Sequence, residues 1–369
     1  MKFLILLSLF SSLAFASDLE LSRSLTLIKN NFSVPALAGA LIKDGKIKEI
    51  AAVGIRKVGY SEKVTTQDKF HLGSCTKSMT ATLAGLLVEK NLLSWNSTLE
   101  ELLQGYDLHP KYKDITFDLL LAHRSGLRRD TEGFEGGWLY TAIDSGIFSP
   151  KDARDLVTQA FLRTPPMHIA KEDYQYSNIG YMIAGFILEK LTNTSYDILM
   201  KQYIFDPLDM KSCGFGEVSG ESNLNPKQPW GHKILKETNY VLAVHDDNPP
   251  AFDPAGRAHC NLVDWGKYLT VHLNGFNKKS NFLKQTTFNK LHMLYPAQGS
   301  DYTYGGWIRV TSQWAGGDVL HHTGTNTYNY ANTWLAPNKN KIIMSTTNIM
   351  TNGFKATDSV IGDINSRNP

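Results

Sequence analysis

Cysteine is scarce in this chain, and so is any excess of charge of one sign. Three cysteines occur among 369 residues, and an odd number leaves at least one unpaired, which excludes a disulfide framework. No Cys-x-x-Cys spacing is present, so we predict buried thiols at Cys75, Cys213 and Cys260, with a Cys213–Cys260 bridge as the alternative. The 38 Lys and Arg against 35 Asp and Glu leave a net charge of +3, which is too small to indicate nucleic-acid binding.

Several well-known catalytic motifs are also absent. The chain contains no Gly-x-Ser-x-Gly, no His-Glu-x-x-His and no Gly-x-x-x-x-Gly-Lys-Ser/Thr. Its 11 histidines are scattered. The adjacent pair His321–His322 would point to opposite faces of a strand, where the two rings cannot easily share a metal ion. These absences disfavour metal catalysis and a phosphate-binding loop.

Long hydrophobic runs are missing, and the one near the start is short. Lys2 is followed by the apolar stretch Phe3–Phe10 and then by small residues up to Ala16. A basic start, a short apolar stretch and a small-x-small exit are typical of a cleavable secretory signal, whereas a bilayer-spanning helix takes about 20 residues. We predict cleavage after Ala16, which gives an exported protein, periplasmic or secreted, with no stable membrane anchor.

Apolar periodicity predicts strands near both ends of the chain and helices between them. Helical spacing predicts an amphipathic helix over about 18–32, several helices between about 80 and 200, and a closing helix around 360–364. Ser97-x-x-Glu100 predicts a capping box at one helix start. Residues 215–258 are rich in Gly, Pro, Asn and Asp and predict long loops. The predicted strands are 37–42 and 47–53, joined by a turn at Asp44-Gly45, and 319–322, 330–336 and 342–347.

This order of elements predicts an α/β fold of the α+β type. A mainly antiparallel sheet flanked by helices would be built from residues 17–90 and 255–369, and residues 91–254 would form an inserted, mostly helical region with long loops. The whole would be a single catalytic domain that follows a signal peptide at residues 1–16. A cleft between the two regions is the usual place for a ligand.

A serine and a lysine lie three residues apart in Ser74-Cys75-Thr76-Lys77, at the predicted start of a helix. Residues i and i+3 share one helix face, so the Lys77 amine can reach the Ser74 hydroxyl. A serine hydroxyl becomes a good nucleophile when a base takes its proton, and a lysine acts as that base when its pKa is lowered. The alternative for Ser74 alone is a helix cap.

Two later segments supply polar groups that could complete such a site. Tyr176-Ser177-Asn178 precedes a predicted helix, where the phenol could relay a proton and the amide could hold a substrate carbonyl. His322-Thr323-Gly324-Thr325 ends a predicted strand, and its glycine would let a substrate backbone lie along the strand edge. Ordinary packing of Tyr176 and a turn glycine at the strand end are the alternatives.

In this order, about 100 and 145 residues apart, the three segments resemble those of the serine β-lactamase and penicillin-binding protein family. The most similar branch contains class C β-lactamases, D-alanyl-D-alanine carboxypeptidases, D-aminopeptidases and related esterases, and the resemblance covers nearly the whole mature chain. It implies a β-lactamase/transpeptidase-like fold and no metal or organic cofactor. Further segments that resemble the family are 120–127, 205–210, 254–256 leading to Asp264, and 304–307.

The resemblance also implies roles for individual residues. Ser74 would be the acylated nucleophile, and Lys77 and Tyr176 would share the proton transfers. The backbone N–H groups of Ser74 and Thr325 would form the oxyanion hole. The substrate-binding positions would be Asn178, which binds the substrate amide, and His322, Thr323 and Gly324. His322 would lie opposite the substrate carboxylate or assist Tyr176.

The chain departs from the family at His322, where many members have lysine. A histidine with its ordinary pKa of about 6.5 is mostly neutral at pH 7. If a cationic His322 held a substrate carboxylate, activity on anionic substrates would fall between about pH 6 and 8, while neutral esters would be unaffected.

We therefore expect a secreted serine hydrolase that works through an acyl-enzyme and acts on a D-amino-acid peptide (D-alanyl-D-alanine carboxypeptidase-like), as in cell-wall stem peptides, or on a small ester. A class C-type β-lactamase and a non-catalytic penicillin-binding relative are the alternatives. The expected partners are a small-molecule or peptide substrate, with no nucleic acid, and the expected oligomeric state is a monomer.

Overall fold

The computed structural model describes residues 2–131, 133–219, 226–235, 240–297 and 299–369, with side chains from Ser17 onward except at positions 135, 136 and 240. The side chains of the predicted signal peptide, residues 1–16, lie outside this set. No helix in the described ranges is long and apolar enough to cross a membrane.

Strands fall at both ends of the chain, as the sequence predicts, with short ones between. They are β1 (Ala36–Lys43), β2 (Lys46–Gly54), β3 (Phe70–His71), β4 (Gly214–Phe215), β5 (Gly231–Leu235), β6 (Tyr240–Val244), β7 (Ala258–Cys260), β8 (Ile308–Ser312), β9 (Gly317–Thr325), β10 (Tyr330–Ala336) and β11 (Lys341–Thr347).

Helices fill most of the middle of the chain and flank the terminal strands. They are α1 (Lys2–Phe32), α2 (Thr76–Glu89), α3 (Leu99–Leu102), α4 (Phe117–Leu121), α5 (Trp138–Asp144), α6 (Pro150–Leu162), α7 (Asn178–Thr192), α8 (Tyr196–Met200), α9 (Asp253–Gly256), α10 (Leu262–Phe276), α11 (Gln285–Leu291) and α12 (Gly353–Arg367).

One six-stranded sheet in the order β2-β1-β11-β10-β9-β8 forms the centre of the molecule, and all its pairs are antiparallel. The predicted hairpin at Asp44-Gly45 is present, with both residues at positive φ (56° and 70°), as a tight two-residue turn requires. The sequence analysis missed β8, which forms the edge next to β9. The mixed fold class with an antiparallel sheet and flanking helices is confirmed.

Helices cover both faces of this sheet. In β1, Leu37 and Leu41 pack with residues of α1 and α12, whereas Ala38 and Ile42 belong to the core on the other side. Alternating side chains along a strand point to opposite faces, so a strand covered on both sides is apolar throughout. The continuous apolar run 37–42 follows from this arrangement.

Two local predictions need correction. The capping box belongs to Thr98 and Glu101, one residue later than Ser97 and Glu100, and both of its reciprocal hydrogen bonds are present. The segment 215–258, predicted as long loops, contains the antiparallel hairpin β5–β6 and the short helix α9. The domain boundaries at 17–90, 91–254 and 255–369 stay predictions.

Cys213 and Cys260 form a disulfide, whereas Cys75 is a buried free thiol. The bridge was only the alternative in the sequence analysis, because two cysteines 47 residues apart carry no signal of pairing by themselves. Strand pairing supplies the missing information. β4 and β7 lie side by side, so Cys213, just before β4, comes next to Cys260 at the end of β7.

Candidate active site

Ser74 lies on a single 3₁₀ turn, Gly73–Cys75, that leads directly into α2. The Thr76 hydroxyl donates to the Gly73 carbonyl at 2.7 Å and accepts from the backbone N–H of Ala258 at 3.0 Å. These bonds fasten the turn to β7. The predicted position of Ser74 at a helix start is therefore present in the structure.

The Lys77 side chain is completely buried, and its ammonium nitrogen contacts three oxygens. It donates to Ser74 Oγ at 3.2 Å, to Asn178 Oδ1 at 2.6 Å and to the Ala255 carbonyl at 2.6 Å. Burial lowers the pKa of Lys77 to about 7, while Asp130 opposes that shift and Arg129 adds to it. A substantial fraction of the amine is thus neutral near pH 7.

A neutral amine at this place has a defined orientation. It keeps two N–H groups and gains a lone pair. The two shorter contacts, to Asn178 and Ala255, can each receive an N–H, and the lone pair then faces Ser74 Oγ. The arrangement can therefore take a proton from the Ser74 hydroxyl.

Tyr176 lies against the same two residues. Burial raises the pKa of its phenol, and a hydrogen bond with Ser74 acts in the opposite direction without cancelling that effect. The Lys77 nitrogen is 4.7 Å from the centre of the Tyr176 ring. Tyr176 is therefore a protonated phenol at neutral pH, suited to donate or relay a proton rather than to act as a phenolate base.

Asn178 is the first residue of α7, and the preceding Ser177 caps that helix through the N–H of Gly180. The Asn178 amide is engaged at both ends, because its Oδ1 accepts from Lys77 and its Nδ2 donates to Asp130 Oδ1 at 2.5 Å. The structure thus adds a contact to the predicted substrate-binding role: Asn178 connects the Lys77 amine with the Asp130 carboxylate.

His322 differs from its predicted chemistry. Its Nδ1 is 2.6 Å from the Thr323 carbonyl, which can only accept, so Nδ1 carries the proton and Nε2 accepts from the Tyr302 hydroxyl at 3.1 Å. Burial, followed by the charge of Lys77, lowers the pKa of His322 to about 3. The imidazole is therefore neutral from pH 6 to 8, and the condition of the expected pH effect, a cationic His322 in that range, is not met.

The end of β9 lies directly against the turn that carries Ser74. A Cβ on Gly324 would fall 2.0 Å from the Leu72 carbonyl oxygen and 2.6 Å from the backbone nitrogen of Ser74. The glycine is therefore needed for contact between two protein segments. From the sequence, Gly324 was explained by the path of a substrate backbone or, as the alternative, by a turn at the strand end.

Ser74 and Thr325 border two cavities, which we call the larger and the smaller lobe of one cleft. The larger lobe, about 610 Å³, also borders Asn178, Asp130 and Phe252. The smaller lobe has a volume of about 210 Å³. Its lining includes four tyrosines and three residues at the end of β9: Tyr174, Tyr176, Tyr302, Tyr330, His322, Thr323 and Gly324. All eight predicted site residues are thus near one cleft.

Three contributors were not singled out as site residues from the sequence. Asp130 and Tyr302 had no local motif that marked them, because their roles depend on segments brought together from distant parts of the chain. The Ala255 carbonyl belongs to the segment 254–256, which the resemblance did highlight. Among the described residues, no group of three or more His, Cys, Asp or Glu is placed to hold a metal ion.

Comparison with known proteins places this geometry in context. A family model described as Beta-lactamase matches residues 27–363. An unguisins hydrolase of Aspergillus campestris is 26% identical over 251 residues, which cover 66% of this chain and 45% of that protein. Penicillin-binding protein 4 of Amycolatopsis lactamdurans is 25% identical over 258 residues, which cover 67% and 61%. The chain thus spans about half to three fifths of these relatives.

Solved structures show the same fold at low identity. An octameric penicillin-binding protein homologue from Pyrococcus abyssi matches with a TM-score of 0.76 and 22% identity over 94% of this chain and 76% of that one. A D-amino acid amidase from Ochrobactrum anthropi, in complex with L-phenylalanine, matches with a TM-score of 0.72 and 20% identity over 94% and 99%. Together with the family match over most of the sequence, these findings show that the chain belongs to the Beta-lactamase family of serine hydrolases.

Proposed function

We propose that this protein is an exported hydrolase that cleaves an amide or ester bond through an acyl-enzyme on Ser74. The observation that carries the proposal is the Lys77 amine, which is 3.2 Å from Ser74 Oγ and has a pKa lowered to about 7. A buried amine that is partly neutral at working pH is what a base for a serine hydroxyl requires.

Acylation would begin with transfer of the Ser74 proton to the Lys77 nitrogen while Ser74 Oγ bonds to the substrate carbonyl carbon. The carbonyl oxygen would become an oxyanion between the backbone N–H groups of Ser74 and Thr325. As the oxyanion collapses, the bond between the carbonyl carbon and the leaving nitrogen or oxygen would break. The Tyr176 phenol would protonate that leaving atom and recover a proton from the Lys77 ammonium. A water molecule would hydrolyse the ester by the same transfers in reverse order.

The two lobes of the cleft would receive the two halves of the substrate. The proton donor to the leaving group, Tyr176, borders the smaller lobe, so the leaving group would occupy that lobe and the acyl part the larger one. Relatives include a D-amino acid amidase and a D-stereospecific amidohydrolase. We propose a D-aminoacyl or D-peptidyl group on the acyl side.

The leaving group would be small and uncharged. The smaller lobe measures about 210 Å³ and is bordered by tyrosines and by a His322 that remains neutral. The one guanidinium at its edge, Arg129, is paired with Asp130 at 3.1 Å. An amide or a small ester therefore fits better than a D-alanyl-D-alanine substrate, whose leaving group carries a carboxylate.

A class C-type β-lactamase is the second candidate. It would use the same Ser74, Lys77 and Tyr176, and Arg129 borders both lobes, where its guanidinium could meet the carboxylate of a β-lactam. Fast deacylation would then be needed in addition to acylation, and nitrocefin turnover with no persistent acyl adduct would favour this candidate.

Intact mass spectrometry tests the proposal directly. The wild type and Ser74→Ala would be incubated with an activated ester, a penicillin, and a matched pair of substrates, a D-alanyl-D-alanine peptide and its C-terminal amide. We expect an adduct or turnover with wild type only, and faster cleavage of the amide of the pair. Full hydrolysis by Ser74→Ala would overturn the acyl-enzyme proposal, and preference for the free carboxylate would overturn the leaving-group proposal.

Export is proposed separately. The predicted cleavage after Ala16 and the disulfide between Cys213 and Cys260 both favour an oxidising compartment outside the cytoplasm. N-terminal sequencing of the protein from its native source should begin near Ser17. An intact Met1 on the mature protein in the cytosolic fraction would contradict export.

A further inference from the structure

The Asp247 carboxylate lies in the segment after β6, and the mechanism above does not use it. Its side chain is only 3% exposed. Four donors surround its two oxygens: His71 Nε2 at 3.1 Å, Arg257 Nε at 3.2 Å, Asn326 Nδ2 at 3.0 Å and the backbone N–H of Asn248 at 2.8 Å. A buried carboxylate with every contact satisfied is a fixed point of attachment for the groups that donate to it.

The first attachment leads to the nucleophile. The other ring nitrogen of His71, Nδ1, accepts the backbone N–H of Gly73 at 3.1 Å. Nδ1 must therefore be unprotonated, and Nε2 carries the proton that is donated to Asp247. The chain Asp247–His71–Gly73 thus fixes the backbone one residue before Ser74.

The second attachment leads to the end of β9. Asn326 follows Thr325 directly, and its amide nitrogen donates to the other oxygen of Asp247. The Asn326 Oδ1 accepts from the Tyr328 N–H and from Asn329 Nδ2, so this side chain is held at both ends. Asp247 therefore also fixes the backbone one residue after Thr325.

The two attached residues flank the two proposed oxyanion donors, Ser74 and Thr325. We propose that Asp247 is a positioning residue that sets the spacing between these two backbone N–H groups by tying Gly73 and Asn326 to one carboxylate. This inference rests on the proposed acyl-enzyme function, since an oxyanion hole matters only if a tetrahedral intermediate forms. Donor placement to within a fraction of an ångström controls stabilisation of that intermediate.

The donors around Asp247 keep its carboxylate ionised. Burial by itself would raise the pKa of Asp247, but His71, Arg257 and Asn326 together outweigh it and lower the pKa to about 2. The Arg257 guanidinium also pairs with Asp253 at 2.5 Å, which anchors it at the start of α9. The carboxylate is therefore ionised at every pH at which the enzyme would work.

The substitution Asp247→Asn separates positioning from simple packing. The amide keeps the shape of the carboxylate, but all four of its neighbours are donors, so its NH₂ group must face a donor and at least one attachment is lost. Asn326→Ala is a second variant that leaves the contacts of His71 and Arg257 with Asp247 in place. It removes the attachment to β9, together with the Asn326 contacts to Tyr328 and Asn329. Asp264→Asn is the matched control, because Asp264 is also a buried carboxylate, is paired with Lys267, and borders neither lobe of the cleft.

The experiment measures chemistry per intact site. Active sites are counted with a fluorophosphonate, after which kcat and KM for a neutral ester and the Ki of phenylboronic acid, which forms a tetrahedral anion on a serine, are determined for each variant. For Asp247→Asn we expect kcat to fall about 10- to 100-fold and Ki to rise by a similar factor, with KM changed by less than about threefold. Asn326→Ala should show a smaller change of the same kind, and Asp264→Asn none.

If Asp247 had a purely structural role, its replacement would reduce the number of active sites that react with the fluorophosphonate, or would lower the thermal midpoint of unfolding. The kcat and Ki per active site would then stay unchanged. That result with Asp247→Asn would overturn the positioning role of Asp247. If Asp247→Asn does not fold, the same result with Asn326→Ala would overturn it. Ser74 labelling of wild type would still support the acyl-enzyme in either case. Absence of Ser74-dependent labelling in wild type would overturn both.

Discussion

At the scale of single residues, the site depends on how few charges its interior contains. Lys77 is buried beside the neutral rings of Tyr176 and His322, and the group that most raises its pKa is Asp130, which it reaches through the Asn178 amide. Because desolvation is the largest effect on its pKa, the amine sits near its neutral form without a neighbouring base. Two charged residues at the rim of the cleft, Asp130 and Arg129, then raise and lower the pKa of this amine, respectively.

The pH dependence of kcat/KM tests this tuning. A protonated Lys77 cannot accept the Ser74 proton, so kcat/KM for a neutral ester should rise with pH through about 7 and then level off. Asp130 raises the pKa of Lys77 and Arg129 lowers it. Asp130→Asn should therefore move the rising limb to lower pH, and Arg129→Gln should move it to higher pH.

The two variants serve as controls for each other, because they alter the two members of one ion pair at the rim of the cleft. We expect the pH profiles of kcat/KM, measured by stopped flow, to shift in opposite directions. A common direction of shift, or no shift in either, would contradict the assignment of the limb to Lys77. An anionic substrate should give a profile parallel to that of the ester, because His322 does not titrate in this range.

The residue-level success of the sequence analysis has a physical reason, and so does its failure. Ser74 and Lys77 could be paired from the sequence because residues three positions apart are neighbours on the same face of a helix. The neutral state of His322 could not be predicted, because burial and the charge of Lys77, which is distant in sequence, lower its pKa only in the folded protein. The role of Asp130 depends likewise on folding.

At the scale of elements, the site exists because the end of β9 presses against the 3₁₀ turn Gly73–Cys75. Gly73 has a φ of 51°, and a Cβ there would lie 2.1 Å from the backbone nitrogen of Thr325. Two glycines, Gly73 and Gly324, thus face each other across the contact. No side chain separates the two backbones whose N–H groups would hold an oxyanion.

Adding one methyl group at this contact should separate the two segments. Gly324→Ala would place its Cβ 2.0 Å from the Leu72 carbonyl, so the strand end must shift, and kcat should fall by about 100-fold or more. Gly362→Ala is the matched control, since position 362 is an exposed helical site with nothing within 4 Å, where alanine should stabilise by about 0.5–1 kcal/mol. Steady-state kinetics and thermal melts measure both, and near-normal kcat in Gly324→Ala would contradict the close contact.

Element prediction worked best where one short pattern determines the structure. The Asp44-Gly45 turn and the strand 37–42 needed only local apolar order, and both are present. The strand pair β5–β6 was missed because Gly, Pro and Asn around it indicate loops, while its pairing comes from contact between the two strands. The one-residue error at Thr98 shows that two adjacent hydroxyl residues offer equivalent caps until the helix packs.

At the scale of the whole molecule, the site joins chain segments from both regions. β9 comes from the sheet, whereas Tyr176 and Asn178 lie at the start of α7 in the helical middle of the chain. The fold class followed from the distribution of elements along the sequence. That these segments meet at one cleft could not be predicted in the same way, because it depends on tertiary contacts. From the sequence, only the resemblance to a family indicated it.

The Cys213–Cys260 bridge is a covalent connection between β7 and the segment that precedes β4, and it should contribute to the stability of the entire molecule. It closes a loop with a sequence separation of 47 residues. The chain-entropy relation gives about 4 kcal/mol for a loop of this length, as an upper value.

The double variant Cys213→Ser/Cys260→Ser should therefore unfold at clearly lower denaturant concentration than wild type, with little change in kcat, since neither sulfur borders the two lobes at Ser74. Wild type treated with a reductant should fall to the stability of the variant, and the variant itself, whose remaining thiol at Cys75 is buried, should not respond. Urea unfolding followed by tryptophan fluorescence measures all four samples, and equal stability of oxidised wild type and double variant would show that the bridge does not stabilise the fold.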